Sequence, residues 1–235
     1  MACAAALPLH RADMPLRGLI FDFDGLIVDT ESAIIDSWQT IHREDGLAAR
    51  PEVLHALVGH VDVATDIWEA YPPTCDKAAL ERRHRTLARA LMAAAPVRPG
   101  VAALLAEARA AGLRLAVASN SSHHHVEGQL ALRGLLPLFD AVLCREDVPL
   151  GKPEPDLYLA ALERLGLAAH ESMAFEDSVP GHVAAARAGL RVIVTPNPAT
   201  ARHEFPQAHR RWNSLYSVTL SQLSALPDLA ADGTK

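Results

Sequence analysis

Two aspartates separated by one residue, Asp22 and Asp24, close the short apolar run Gly18-Leu-Ile-Phe-Asp-Phe-Asp24 and lead into Gly25. If the run is a strand, its period of two aims both carboxylates to the same side. Close carboxylates repel, and they are tolerated best when a cation sits between them or one keeps its proton. The spacing therefore suits a metal site or an acid/base pair, although a solvated acidic turn would satisfy it too. Three later segments carry complementary chemistry. Ala118-Ser119-Asn120-Ser121 places hydroxyl and backbone N–H donors ahead of a helical pattern, an arrangement suited to an anion. Gly151-Lys152-Pro153-Glu154-Pro155-Asp156 sets a lysine among turn residues, and an ammonium is a compact positive charge suited to phosphate. The choice of lysine is informative, because the only others among 22 basic residues are Lys77 and Lys235. Phe175-Glu176-Asp177-Ser178 ends another apolar run in two more carboxylates. Singly, Lys152 reads as a surface lysine, and Ser119 or Asp177 as a helix N-cap. Together they supply an acid pair, a hydroxyl, an amine and a second acid pair.

The elements that must position these groups alternate. Strand patterns cover Gly18–Asp24, Leu113–Ala118, Ala141–Cys144, Ser172–Phe175, Arg191–Thr195 and Ser214–Val218. Between them lie helical patterns at Val101–Ala111, His124–Arg133, Asp156–Leu165 and Val179–Ala188, each closed by a glycine, the usual C-terminal stop. Such alternation predicts an α/β fold, a doubly wound parallel Rossmann-like sheet covered on both faces. The four chemical segments then fall at strand ends, where open α/β sheets bind ligands. One connection is too long, since roughly seventy residues separate Gly25 from Pro99, far beyond an ordinary crossover. Its content reads as helices at Ser32–Arg43, Glu52–Val58, Val63–Ala70 and Lys77–Ala94. The predicted organisation is a tail over residues 1–16, a core domain over 17–29 and 97–228, and an inserted all-helical cap domain over 30–96, hung over the site as a lid.

Composition excludes several classes. Half of the 235 residues are hydrophobic, 21% are charged and 5% aromatic, which describes a globular chain with ample core. The net charge is −6 with no basic stripe, so nucleic acid is not expected as a partner. No apolar run reaches the length of a membrane span, and no membrane partner is expected. Cys3, Cys75 and Cys144 share no CxxC spacing, which argues against a disulfide framework or zinc site and for a reducing, cytoplasmic setting. The expected state is a monomer, with a dimer left open.

With these motifs in order, the chain from about Gly18 to Leu226 resembles a haloacid-dehalogenase-superfamily hydrolase. Its subgroup is the one with a helical cap after the first strand, which includes the beta-phosphoglucomutases and many sugar-phosphate phosphatases. The resemblance implies Asp22 as nucleophile, Asp24 as general acid/base, Ser119 as phosphoryl-binding hydroxyl and Lys152 as the amine joining nucleophile and phosphate. It implies Mg2+ held by Asp22, Asp24 through its backbone carbonyl, Glu176 and Asp177, and a small-molecule phosphomonoester as substrate. Substrate contacts are assigned to Gly25, Asn120 and Ser121, to His123, and to His60 in a cap loop. The implied chemistry is a magnesium-dependent phosphatase working through an aspartyl phosphate.

The alternatives separate on particular residues. A haloacid dehalogenase lacks the second aspartate of the first motif, and Asp24 argues against it. The phosphosugar mutases carry a cap-side His ten residues past the acid/base, where this chain has Ile34, and often an Arg after a Gly where it has Gly59-His60-Val61-Asp62. A non-catalytic phosphate-binding module is disfavoured by the intact Asp22, Asp24, Lys152 and Asp177. His123-His124-His125 cannot all face one ion, because successive helical residues point about 100° apart. They are read as helix surface, with His123 alone near Ser119. Arg82-Arg83-His84-Arg85 reads as a solvated face, with attraction of anions a secondary role. Trp38, Trp68 and Tyr71 read as cap core.

Overall fold

The computed structural model describes residues 16–56 and 67–226. In chain order the elements are β1 (Gly18–Phe21), α1 (Thr30–Glu44), α2 (Pro51–Ala56), α3 (Lys77–Ala94), α4 (Val101–Ala110), β2 (Arg114–Ala118), α5 (His123–Leu132) and β3 (Ala141–Leu143). They continue with α6 (Asp156–Leu165), β4 (Ser172–Glu176), α7 (Val179–Arg187), β5 (Arg191–Val194), β6 (Arg210–Arg211) and α8 (Leu220–Ser224). The six strands form one sheet in the order β3-β2-β1-β4-β5-β6, parallel throughout. The fold is the expected doubly wound α/β sheet. Strand order reverses at β1, so the crevice at the carboxyl ends of β1 and β4 is where such sheets take ligands.

Both faces of the sheet are covered, which is why its central strands are apolar along their middles, with polar residues such as Ser172 and Glu176 only at their ends. Leu19, Phe21, Leu115, Val117, Met173 and Phe175 pack on one face with Leu104 and Leu105 of α4 and Val126 and Leu130 of α5. Ile20, Ala116, Ala118, Ala174, Val192 and Val194 face the other side, against Leu157, Tyr158 and Ala161 of α6 and Ala184 and Ala185 of α7. α6 ends where Gly166 takes a left-handed conformation, which a residue without Cβ adopts at little cost. The strand predicted over Ser214–Val218 does not form. β6 lies earlier, pairing Arg210 and Arg211 with Ile193 and Val194. Leu215 is buried from a turn instead, with Ser217 at φ 65° and the Leu215 carbonyl against the face of Gly100 that a Cβ would fill. An apolar spacing that reads as a strand is here a turn plugging the core.

The insertion after β1 is helical among the described residues. α1 and α3 pack around Ile35, Trp38, Ile41, Leu54, Tyr71 and Leu80. Trp38 meets Trp68 edge-on at 5.6 Å and stacks on His84 at 4.5 Å, so the cap aromatics form its core as expected. The pattern at Val63–Ala70 survives in its described part as one 3-10 turn, Ile67–Ala70. Where the insertion returns, Val97 bridges to Val28, and Arg98 donates to the carbonyls of Gly25, Thr195 and Pro196. One guanidinium thus binds the insertion's exit to the ends of β1 and β5.

Candidate active site

Asp22 follows β1 directly, its backbone N–H donating to the Phe175 carbonyl of β4 at 2.9 Å, so the first carboxylate is aimed from the sheet's centre. Lys152 Nζ lies 2.5 Å from Asp22 Oδ1 and 2.6 Å from Glu176 Oε1, with all three side chains buried. The lysine is held by Asn120, whose Oδ1 accepts from the Lys152 N–H at 2.8 Å while its Nδ2 donates to the Lys152 carbonyl at 3.1 Å. Asn120 lines the cavity, and its side chain is spent on this clamp. Burial works against the Lys152 ammonium, but Asp22 and Glu176 outweigh it and the amine is held charged.

Glu176 is fully buried, and its oxygens are taken. Oε1 accepts from Lys152 and from Tyr158 Oη at 2.5 Å, and Oε2 accepts from the N–H groups of Asp177 and Ser178 and from Ser178 Oγ. Asp177 keeps an oxygen free: Oδ2 accepts from Asn197 Nδ2 at 2.6 Å, while Oδ1 accepts no hydrogen bond among the described residues. The same holds for Oδ2 of Asp22, whose Oδ1 serves Lys152. Asp22, Glu176 and Asp177 bring carboxylate oxygens within 4.8 Å of one another. Burial pushes both aspartates well above the ordinary carboxylate range; at Asp22 the charges of Glu176 and Asp24 add to it against the pull of Lys152, and at Asp177 those of Asp22, Glu31 and Glu176 add to it. Buried, mutually repelling oxygen donors with free lone pairs fit a hard divalent cation such as magnesium. Gly25, at φ +78°, makes room for this pair, since a Cβ there would overlap Asp177 Oδ2 and Asn197 Nδ2. Gly25 does not line the cavity, and its part is steric.

Asp24 is differently placed. Its Oδ1 accepts from Thr30 Oγ1 at 2.8 Å and His125 Nε2 at 2.9 Å, and its Oδ2 from Ser121 Oγ at 2.6 Å and Ser119 Oγ at 3.5 Å. Burial disfavours this carboxylate too, but the hydrogen bond and charge of His125, with Ser121 and Thr30, hold its pKa below the usual value. The two aspartates of one motif therefore sit in opposite electrostatic environments.

A cavity of about 480 Å³ opens above these groups. Its floor includes Asp22, Asp24, Ser119, Ser121, Lys152 and Asp177, and its roof includes Ile34 of α1 and His84, Arg85 and Arg89 of α3. Arg83 points elsewhere, pairing with Glu44 and Asp45. The arginine run is thus split between a face bound to α1 and a face over the site. His123 does not line the cavity, because its ring nitrogens are engaged by Glu127 at 3.0 Å and Asp147 at 2.7 Å. The histidine that reaches the site is His125. His60 lies outside the described residues. Glu31 and Asn197 escape a motif-based reading: Asn197 Nδ2 ties Glu31 Oε2 (2.5 Å) to Asp177, and burial pushes Glu31 up to about 7. Asn197 sits just past β5, so extending the strand-end logic by one strand would have found it.

The haloacid dehalogenase-like hydrolase pattern matches residues 16–189. The chain is 34% identical over 211 residues to YhcW of Bacillus subtilis strain 168, covering 88% of this chain and 96% of that one. It is 32% identical over 181 residues to hexitol phosphatase B of Escherichia coli K12, covering 75% and 82%. CbbY of Rhodobacter sphaeroides, solved in complex with phosphate and, as a mutant, with xylulose-(1,5)bisphosphate, superposes with TM-score 0.69 at 29% identity over 88% of this chain and 99% of that chain. Catalytic-type residues at the carboxyl edge of a doubly wound sheet, a helical insertion above them and a pattern match spanning most of the chain place this protein in the haloacid dehalogenase-like hydrolase family.

Proposed function

We propose that the chain is a magnesium-dependent phosphatase for a small phosphorylated metabolite, a sugar phosphate or similar phosphomonoester, acting through an aspartyl phosphate on Asp22. The observation that carries this reading is the buried Lys152 held between Asp22 and Glu176 on the floor of a cavity that also presents Ser119, Ser121 and Asp24. Asp22 attacks phosphorus, and the ester oxygen departs with a proton from Asp24. Water then attacks the phosphorus, gives its proton to Asp24 and releases phosphate from Asp22, so one displacement becomes two easier ones. Lys152 and Ser119, with the Asn120 N–H, hold phosphoryl oxygens where transition-state charge is spread. Asp22 and Asp177 would hold magnesium, with Glu176 fixing Lys152 beside them, and the bound cation would neutralise charge between nucleophile and phosphoryl group.

The roof supports a substrate with anionic character beyond the reacting phosphate. Arg85 and Arg89 are exposed towards the cavity, and Arg89 has no ion-pair partner among the described residues. The solved neighbour that holds xylulose bisphosphate favours the same class here. Ile34 lines the cavity where the resembling mutases carry a histidine, which favours hydrolysis over return of the phosphoryl group. The test is phosphate release from a panel of metabolite phosphates with magnesium, with and without EDTA, alongside acid-quench trapping of phosphate on the wild type and on Asp22→Asn. Metal-dependent release with label trapped only on the wild type supports the reading; no release from any ester overturns it.

A further inference from the structure

Asp24 makes four hydrogen bonds, and they divide by oxygen. Ser121 and Ser119 are both on Oδ2, while Thr30 and His125 are both on Oδ1. The two serines follow β2; in the proposed reaction Ser119 turns to the phosphoryl group, and Ser121, a substrate contact by resemblance, turns with it. Once they do, Oδ2 is released, and Asp24 is held by Oδ1 alone. Thr30 opens the helical insertion, whereas His125 stands on the core helix α5. His125 is therefore the tether that belongs to the same body as Ser119 and Lys152.

The backbone and the ring of His125 are both held. Ser122 caps α5 and accepts from the His125 N–H. The edge-to-face contact with Phe23, at 5.6 Å and 84°, holds the ring between a buried phenyl group and the Asp24 carboxylate. The divergence of successive helical side chains is what makes this work: His123 turns to Glu127 and Asp147, His124 is exposed, and His125 turns inward.

We propose that His125 is a positioning residue for proton transfer by Asp24: its Nε2–H, with the Thr30 hydroxyl, anchors Oδ1 so that Oδ2 is the oxygen that exchanges the proton. The proposal rests on the phosphatase reading. Four hydrogen bonds hold Asp24 ionised as found; release of Oδ2 by the serines and the approach of the phosphoryl anion favour a proton on that oxygen. In the first step the Asp22 oxygen forms its bond to phosphorus, the ester P–O bond breaks, its electron pair stays on the leaving oxygen, and this proton passes from Asp24 Oδ2 to it. In the second step water oxygen bonds to phosphorus, the Asp22 O–P bond breaks, and the water proton returns to Oδ2. His125 neither gains nor loses an atom.

The experiment compares His125→Ala, His125→Phe and His125→Gln on two esters in the same magnesium buffer: an alkyl phosphate that the wild type turns over, and p-nitrophenyl phosphate. Phe keeps the ring packing on Phe23 without a donor, and Gln supplies an N–H donor without the ring. General acid/base transfer contributes about 10²–10⁴ in rate, and loss of its anchor should remove roughly tenfold or more of it. Ala and Phe should lower kcat on the alkyl ester by that factor with KM within about twofold, and lower the p-nitrophenolate burst much less, because that leaving group needs little protonation. Gln should recover most of the loss. A p-nitrophenolate burst slowed as much as kcat on the alkyl ester, wild-type kcat in the Phe variant, or a Gln variant as poor as Ala would each overturn the proposal. A wild type that releases no phosphate removes the phosphatase reading as well, whereas an active wild type with unaffected variants removes this inference alone.

Discussion

Lys152 Nζ and Glu176 Oε1 form a buried contact of 2.6 Å in which neither partner touches solvent appreciably. The pair explains why an acid that reads as a metal ligand has little left to offer one: Glu176 also serves Tyr158, two backbone N–H groups and Ser178. Gly181 packs against the far side of the same carboxylate, where a Cβ would overlap it. Removing one member of a buried ion pair costs about 3–5 kcal/mol, or roughly 6–20 °C in a domain of this size. Glu176→Gln should lower the melting temperature by an amount of that order and lower kcat/KM at least about tenfold. Calorimetry checks the first expectation and steady-state kinetics the second; an unchanged melting temperature contradicts the assigned role.

The acidic floor links metal, pH and stability. Burial, with repulsion from neighbouring carboxylates, raises Asp22 and Asp177, and burial moves Glu31 from 4.5 to about 7. A raised acid keeps in the native state a proton that the unfolded chain has already released, so this contribution to metal-free stability declines as pH rises from about 4.5 through 7. Magnesium binds the deprotonated carboxylates. The increase in melting temperature on adding magnesium should therefore be larger at pH 8 than at pH 6, and Glu31→Gln should flatten the metal-free decline. An increment independent of pH would exclude the cluster as the cation site.

The two motif aspartates should fail differently. Asp22→Asn removes the nucleophile and should leave no acid-stable phosphoenzyme. Asp24→Asn keeps the nucleophile and should form it from p-nitrophenyl phosphate while hydrolysing it about 10²–10⁴-fold more slowly. Rapid-quench measurement of both steps distinguishes them; identical behaviour of the two variants would contradict their assigned roles.

The α3 arginines should act on the far end of the substrate. A charge-assisted hydrogen bond is worth about 1.5–3 kcal/mol. Replacing Arg85 and Arg89 together by Ala should therefore raise KM about 10–100-fold for a sugar bisphosphate and change it little for p-nitrophenyl phosphate. Equal changes for both esters would show that the roof does not read the distal group.

The sequence by itself determined the parallel α/β core, because a strand buried on both faces must be apolar at each position and each crossover helix must announce its end. α3 and α6 lie where the apolar spacing places them. It also determined which residue types stand at the strand ends, since Asp22, Ser119, Lys152 and Asp177 are local in their motifs and follow the strands wherever the sheet carries them. The partners of those groups were decided by the tertiary structure. That His125 rather than His123 reaches Asp24 depends on how α5 is rotated against β1, which three adjacent identical residues cannot reveal. That Glu176 spends its oxygens on Lys152 and Tyr158 depends on the loop before α6 and the first turn of α6 bringing those two side chains to the end of β4. Arg83 and Arg85 part company because one face of α3 meets the C-terminal end of α1 while another faces the cavity. The strand misplaced at Ser214–Val218 has the same origin, for the Leu215 side chain joins the buried core from a turn while its carbonyl rests on Gly100, and it needs no ladder to do so. Periodicity encodes which face of an element is buried; the rotation and crossing of elements, set by packing between distant segments, choose which polar atoms meet.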